Sequence, residues 1–206
     1  NNKILEARLR ETRSEIATLR ETLEAVRVEA LTDPLTGIAN RKHFEEMLVK
    51  AIDQASVERS PMALVVLDID HFKRFNDNFG HLTGDQVLRL VGMTMREQVK
   101  SKATIARFGG EEFGVILPDT ALDTARVTAD AIRTSVMSRE LVKRSTGESL
   151  GKVTVSIGIA AFRRGDTAVS LLERADQCMF AAKRSGRNRV VTDADPEASA
   201  DWYDVA

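Results

Sequence analysis

Two short apolar runs, Ala103 to Phe108 and Phe113 to Leu117, constrain this chain more than any other feature. The glycine pair Gly109-Gly110 between them reverses one run into the other and commits that part of the fold to antiparallel pairing. Glycines accept the positive φ of such a reversal and leave space beside the turn for a bulky ligand. Pro118 stops the second strand. The turn also carries Glu111 and Glu112, so the hairpin has an acidic tip. A second acidic element lies upstream. There the run Met62 to Asp68 (MALVVLD) reads as a buried strand that delivers a carboxylate to the edge of a sheet, followed closely by Asp70. If that strand neighbours the hairpin, Asp68 and Glu111 converge on one hard cation, in the oxygen-ligand arrangement that suits Mg²⁺ bound together with substrate phosphates. Such carboxylates predict metal-assisted phosphoryl chemistry. The plain alternative is that Asp68 and Asp70 cap the following helix while Glu111 and Glu112 are solvated turn residues.

Periodicity and punctuation supply the other elements. Helices are expected over about Asn40 to Ala55, Asp70 to Asn78, Gly80 to Lys100, Ala121 to Met137 and Ala168 to Ser185, with further strands around Lys152 to Phe162 and Arg189 to Thr192. Helices mixed with hairpin neighbours point to an α+β fold with an antiparallel sheet, not a doubly wound one. The 206 residues, 43% hydrophobic, suffice for one well-buried core. Net charge is −1, and basic side chains are interspersed with acidic ones, which argues against a nucleic-acid partner or an anionic membrane surface. Neither a transmembrane run nor a signal peptide is read. The single cysteine, Cys178, excludes an internal disulfide and fits a reducing, cytoplasmic compartment. Its place in the stripe Leu171, Leu172, Ala175, Cys178, Met179 and Ala182 makes it a core residue. His43 reads as a surface residue, Arg74 as a solvated one, and Met93 and Met95 as core. The chain begins without methionine, and an upstream sensory domain, even a membrane anchor, is expected in a longer protein.

Residues 1–32 differ in kind. Leu5, Leu9, Thr12, Ile16, Leu19, Leu23, Val26 and Ala30 recur in alternating steps of four and three, the spacing of a coiled-coil seam. With Leu9, Ile16, Leu23 and Ala30 at a positions, Glu15 and Arg20 match across a parallel dimer, Arg8 and Arg13 repel, and Thr12 weakens the seam. At about 39 Å from Leu5 to Ala30, the helix is too long for a small domain to cover, which favours a dimer over a helix packed on its own domain. Asp33-Pro34 ends it. Residues 33–192 then form the domain proper, and residues 193–206, small and acidic, read as a flexible tail.

Several ordered motifs together resemble the GGDEF domain, the catalytic domain of bacterial diguanylate cyclases, in the variant with Gly109-Gly110-Glu111-Glu112-Phe113. They begin with Asp33-Pro34-Leu35-Thr36-Gly37 and Asn40-Arg41, and continue with Asp68-Ile69-Asp70-His71-Phe72-Lys73, Asn76-Asp77, Gly80-His81 and Gly84-Asp85. After the signature loop come Val155 to Ala160 and Ala182 to Asn188. The resemblance covers about residues 31 to 192. It implies a ferredoxin-like or nucleotidyl-cyclase fold whose central, mainly antiparallel sheet is flanked by helices, preceded here by the coiled-coil helix.

By the same resemblance the reaction is condensation of two GTP into cyclic di-GMP with release of two pyrophosphates, at the interface of two facing domains. Asp68, the Ile69 carbonyl and Glu111 would bind two Mg²⁺ ions, with Mn²⁺ a possible substitute. Glu112 would contact metal or help deprotonate the attacking 3′-hydroxyl. Asn76 and Asp85 match the positions that read guanine; a carboxylate can accept from the N1 and exocyclic amino hydrogens that guanine has and adenine lacks, which favours GTP. Lys73, Lys183, Arg187 and the backbone after His71, at Phe72, match phosphate contacts, and Gly109 and Gly110 leave room for the nucleotide. His71 and His81 would not ligate metal, and Asp70 and His71 would cap and pack. One departure is plain. Many members carry an Arg-x-x-Asp inhibitory site for product before the signature, but here the two positions are Lys100 and Ala103. The main alternative function is a catalytically silent GTP-binding or dimerisation module.

Overall fold

The computed structural model describes residues 2–142 and 146–199 of the chain. Helix α1, Asn2–Leu31, projects as a stalk: residues 3–30 are exposed, and the seam residues Leu5, Leu9, Ile16, Leu19, Leu23 and Val26 are between 44% and 70% exposed. It therefore does not pack along its own domain. Asn40 joins the stalk to the body. Its amide donates to the Ala30 carbonyl at 2.8 Å, while its Oδ1 accepts from the His43 N–H and caps the next helix, α2 (Arg41–Glu58).

The body is one six-stranded sheet. In chain order its strands are β1 (Ala39–Asn40), β2 (Met62–Ile69), β3 (Thr104–Gly109), β4 (Glu112–Pro118), β7 (Val155–Ala161) and β8 (Val190–Thr192). Across the sheet they run β1-β3-β4-β2-β7-β8, antiparallel through the middle four and parallel at each edge. A separate small hairpin pairs β5 (Leu141–Val142) with β6 (Ser149–Gly151). The sequence reading did not anticipate this hairpin or the two-residue β1, because elements so short carry no period to read.

Every residue of β2 is buried, and its alternation separates two cores. Ala63, Val65, Leu67 and Ile69 pack with α3 (Phe72–Phe79), α4 (His81–Gln98) and α5 (Leu122–Ser138). Met62, Leu64 and Val66 pack with α2 and α6 (Ala168–Arg184), where Cys178 is also fully buried. Gly158 sets how closely α6 approaches β7: a Cβ there would lie 2.2 Å from both the Ala175 carbonyl oxygen and the Met179 nitrogen. Any side chain would drive helix from sheet.

Burial of Cys178 raises its thiol pKa to about 12, which makes it an inert packing residue. Met95 is core as expected, whereas Met93 is 51% exposed, since it falls on the outer face of α4. Over residues 193–199 the flexible tail expected from Asp193 is instead held to the domain. Asp193 accepts from Arg163 and Arg174, each at 3.0 Å, Asp195 pairs with Arg126, and a 3₁₀ turn spans Pro196–Ser199. These acids anchor the segment to α5 and α6; residues 200–206 lie outside the described residues. Among the described residues no helix is long and apolar enough to cross a membrane.

Candidate active site

The parity of β2 decides where the acids go. Asp68 shares the face of Met62, Leu64 and Val66, and in register it stands opposite Glu112 of β4 and Ser156 of β7. It is only 4% exposed. The hairpin tip is tied to the end of the same strand, where the Ile69 N–H donates to the Glu111 carbonyl at 3.3 Å. Asp68, Ile69, Glu111 and Glu112 are thereby brought to one end of the sheet, and Lys183 from the last turn of α6 joins them, its Nζ 2.8 Å from Asp68 Oδ1.

The turn itself uses its glycines as the sequence suggests, with φ of 134° at Gly109 and 54° at Gly110. Its carbonyl is braced from outside. Arg107 donates through Nη2 and Nε to the Gly110 oxygen, at 2.8 and 3.1 Å, and through Nη1 to both oxygens of Asp33, at 3.1 and 3.3 Å. Burial tends to raise the Asp33 pKa, but hydrogen bonds from Thr36 and the Arg107 guanidinium outweigh it and hold the carboxyl below its ordinary range. Asp33 is thus more than the residue that stops the stalk: it links the stalk's end to the acidic tip. Sequence reasoning missed this pairing because Asp33 and Arg107 lie 74 positions apart.

Asp70 is also recast. The residue preceding α3 is His71, at φ 58° with no side-chain cap, and Asp70 caps nothing. It is buried and accepts from Thr154 Oγ1 at 2.7 Å, Ser156 Oγ at 2.6 Å and the Asn188 N–H at 3.1 Å. It clamps the end of β2 to β7 and to the Arg187-Asn188 turn, where both residues have positive φ. Asp68 likewise caps no helix.

Desolvation raises the Asp68 pKa to about 6; the Lys183 ion pair opposes the shift and the charges of Glu111 and Glu112 add to it. Glu111 is raised by the same burial, with Lys183 opposing and Glu112 adding. A carboxyl whose folded pKa is raised binds its proton more tightly in the native state, so the stability this confers at low pH is lost as pH rises through about 6. Asp68 therefore opposes folding at neutral pH.

A second group forms between α3 and α4. Phe72 is buried, Asn76 and Asp85 are half-buried, and the buried Oδ1 of Asn76 has no hydrogen-bond partner. Gly84 makes the space, since a Cβ there would lie 1.8 Å from Asn76 Oδ1 and 3.2 Å from Phe72 Cζ. Lys73 and Arg187 are exposed. At the departure noted above, Lys100 and Ala103 flank the entry to β3, and neighbouring Lys102 pairs with Asp119 at 3.7 Å.

A topology that brings separated acidic motifs to one end of a six-stranded sheet defines a nucleotidyl-cyclase-like domain, and comparison with known proteins makes the class specific. Residues 30–189 match the family described as the diguanylate cyclase GGDEF domain, and the chain belongs to that family. It is 43% identical over 168 residues to the diguanylate cyclase DgcP of Pseudomonas aeruginosa, covering 82% of this chain and 25% of that protein. It is 39% identical over 177 residues to the diguanylate cyclase VdcA of Vibrio cholerae, covering 86% of this chain and 51% of that protein. The chain thus spans between a quarter and about half of these relatives. Among solved structures, the coiled coil and GGDEF domain of DgcB from Caulobacter crescentus, in complex with c-di-GMP, matches with a TM-score of 0.86 at 46% identity, covering 91% of this chain and 98% of that one. The active GGEEF domain of a Vibrio cholerae diguanylate cyclase matches with a TM-score of 0.70 at 30% identity, over 76% and 97%.

Proposed function

We propose that residues 33–192 form an active diguanylate cyclase domain that condenses two GTP into cyclic di-GMP and two pyrophosphates, with residues 1–32 holding two copies together as a parallel coiled coil. The observation that carries the reading is the convergence of Asp68 and Glu111 at the end of β2, where the tip is fastened by the Ile69–Glu111 hydrogen bond. The donor set suits Mg²⁺. It offers two hard carboxylates and the Ile69 carbonyl, and Asp68 Oδ1 is buried with a cation, the Lys183 ammonium, already 2.8 Å from it. Such a site leaves positions for water and phosphate oxygens, as Mg²⁺ requires.

Asp68, Glu111 and the Ile69 carbonyl would hold the Mg²⁺, with Glu112 at its side; bound there, the ions neutralise charge on the triphosphate as pyrophosphate leaves. The remaining work falls to side chains of this chain. Asp85 and Asn76 orient guanine through its N1 and amino hydrogens, and Phe72 walls the space that Gly84 leaves open. Lys73, Lys183, Arg187 and the Phe72 backbone take the phosphates. Each 3′-hydroxyl oxygen forms a bond to the α-phosphorus of the other nucleotide, the bond from that phosphorus to the β-bridging oxygen breaks, and Glu112, exposed beside the tip, accepts the hydroxyl proton. Neither nucleotide can react alone, so two domains must face each other.

Incubation with GTP and Mg²⁺, with products resolved by chromatography and mass detection, tests the assignment. The parent is expected to make cyclic di-GMP and Glu112→Ala to lose it; a parent that binds GTP without making product would instead be a silent module. The pH profile gives a second check. As pH falls through about 6, Asp68 takes up a proton and loses its hold on a cation, so kcat/KM should fall below that pH. A flat profile from pH 7 to 5 would contradict this role. Product inhibition is a third. Without the guanidinium fork and its acid partner at Lys100 and Ala103, low micromolar cyclic di-GMP should leave turnover unchanged, as a product titration will show.

A further inference from the structure

Resemblance assigns Lys183 to the phosphates, yet its ammonium lies 2.8 Å from Asp68 Oδ1. Side-chain exposure is 6% for Asp68 and 24% for Lys183, so the pair is largely withdrawn from water, where a charge is costly to leave unpartnered. The lysine also acts on Glu111, favouring its ionised form. At that distance the ammonium is the group that most opposes the desolvation of Asp68, through both hydrogen bonding and charge, so it already fills the place of a cation there. The stem of Lys183 rises from the last turn of α6, with Nζ 5.7 Å from the centre of the Phe180 ring, and Gly158 fixes how near that helix lies to the sheet.

We propose that Lys183 is a stand-in cation: it occupies the acidic end of β2, keeps a free divalent ion out, and releases Asp68 only when a nucleoside triphosphate offers the ammonium another anion. The inference rests on reading Asp68 and Glu111 as the metal-holding carboxylates. Charge counting gives its logic. The ammonium offsets one of the three carboxylate charges of Asp68, Glu111 and Glu112, which makes the site poorer for a bare divalent ion. Once the lysine has moved to a triphosphate, that offset is gone. A triphosphate arriving without metal would in turn draw the lysine away and face the acids unshielded. Metal and triphosphate together give the carboxylates and the ammonium each a counter-ion, so the site would take them as a unit and remain closed to free metal. Lys183 would thus be a positioning residue before it is a phosphate contact.

The test is Mn²⁺ binding without turnover, read from the paramagnetic resonance signal of free Mn²⁺, first with protein alone and then with 3′-deoxy-GTP, which lacks the attacking hydroxyl. Removing a unit charge at ion-pair distance, Lys183→Met is expected to bind Mn²⁺ alone at least ~10-fold more tightly than the parent. 3′-Deoxy-GTP should then improve Mn²⁺ binding less in the variant than in the parent. Lys183→Gln provides the same comparison should the methionine variant fail to fold. Mn²⁺ affinity no tighter than the parent's in the folded variant overturns the stand-in role. Asp68→Asn separates the two readings: if it leaves the parent's Mn²⁺ uptake with 3′-deoxy-GTP unchanged, the metal assignment itself fails, and the stand-in role with it.

Discussion

Asp68→Asn is expected to lower cyclic di-GMP synthesis at least about a thousandfold, the scale on which losing an ionised group that stabilises transferred phosphoryl charge is felt. The same variant should melt no lower than its parent at neutral pH. The two expectations come from one fact: the carboxylate sits 4% exposed at the end of a strand buried on both faces, and desolvation raises its pKa to about 6 even with Lys183 beside it. Its charge opposes folding near pH 7, the isosteric amide removes that cost while keeping the shape, and Lys183, itself 24% exposed, keeps the Glu111 charge as a partner. Calorimetry beside a product assay distinguishes this from damage to the fold, since a collapse in melting temperature would mean that Asp68 serves structure.

Removing residues 1–27 should lower specific activity by roughly a hundred- to a thousandfold at micromolar protein, because tethering supplies effective concentrations near millimolar. The cut leaves the Ala30 carbonyl and Thr32, and with them the bonds from Asn40 to the stalk's end. Activity per domain should then rise in proportion to protein concentration, whereas the full stalk gives constant specific activity. Specific activity measured over three decades of concentration separates the two. A truncated domain that matches the parent at low concentration would mean that α1 takes no part in pairing. The structural argument for pairing is the exposed row from Leu5 to Val26, which no other part of the chain covers among the described residues.

Truncation also bears on a link within one chain. The stalk ends at Leu31, Asn40 holds its last carbonyls, Asp33 holds Arg107, and Arg107 holds the carbonyl of Gly110. The stalk's end and the turn that presents Glu111 are thus linked by hydrogen bonds and by the Arg107–Asp33 ion pair.

Local signals were enough for the elements whose period is long or whose boundaries are punctuated. Met62 to Asp68 is apolar throughout because β2 is covered on both sides, and α6 opens on a Thr167–Ser170 capping box and carries basic residues in its last turn. The Gly109-Gly110 reversal and the stalk's heptads were legible for the same reason: each is a property of neighbours along the chain. The sequence likewise held the acids, the glycines and the family to which they belong. Partners distant along the chain were not legible. Only the order β4-β2-β7 places Glu112 and Ser156 on either side of Asp68, only packing against β7 turns Asp70 from an expected helix cap into a clamp, and only the approach of α6 at Gly158 brings Lys183 to Asp68. The physical reason is that side-chain chemistry and local propensity are written residue by residue, whereas burial, charge pairing and the pKa values they set exist only once strands far apart in sequence have become neighbours.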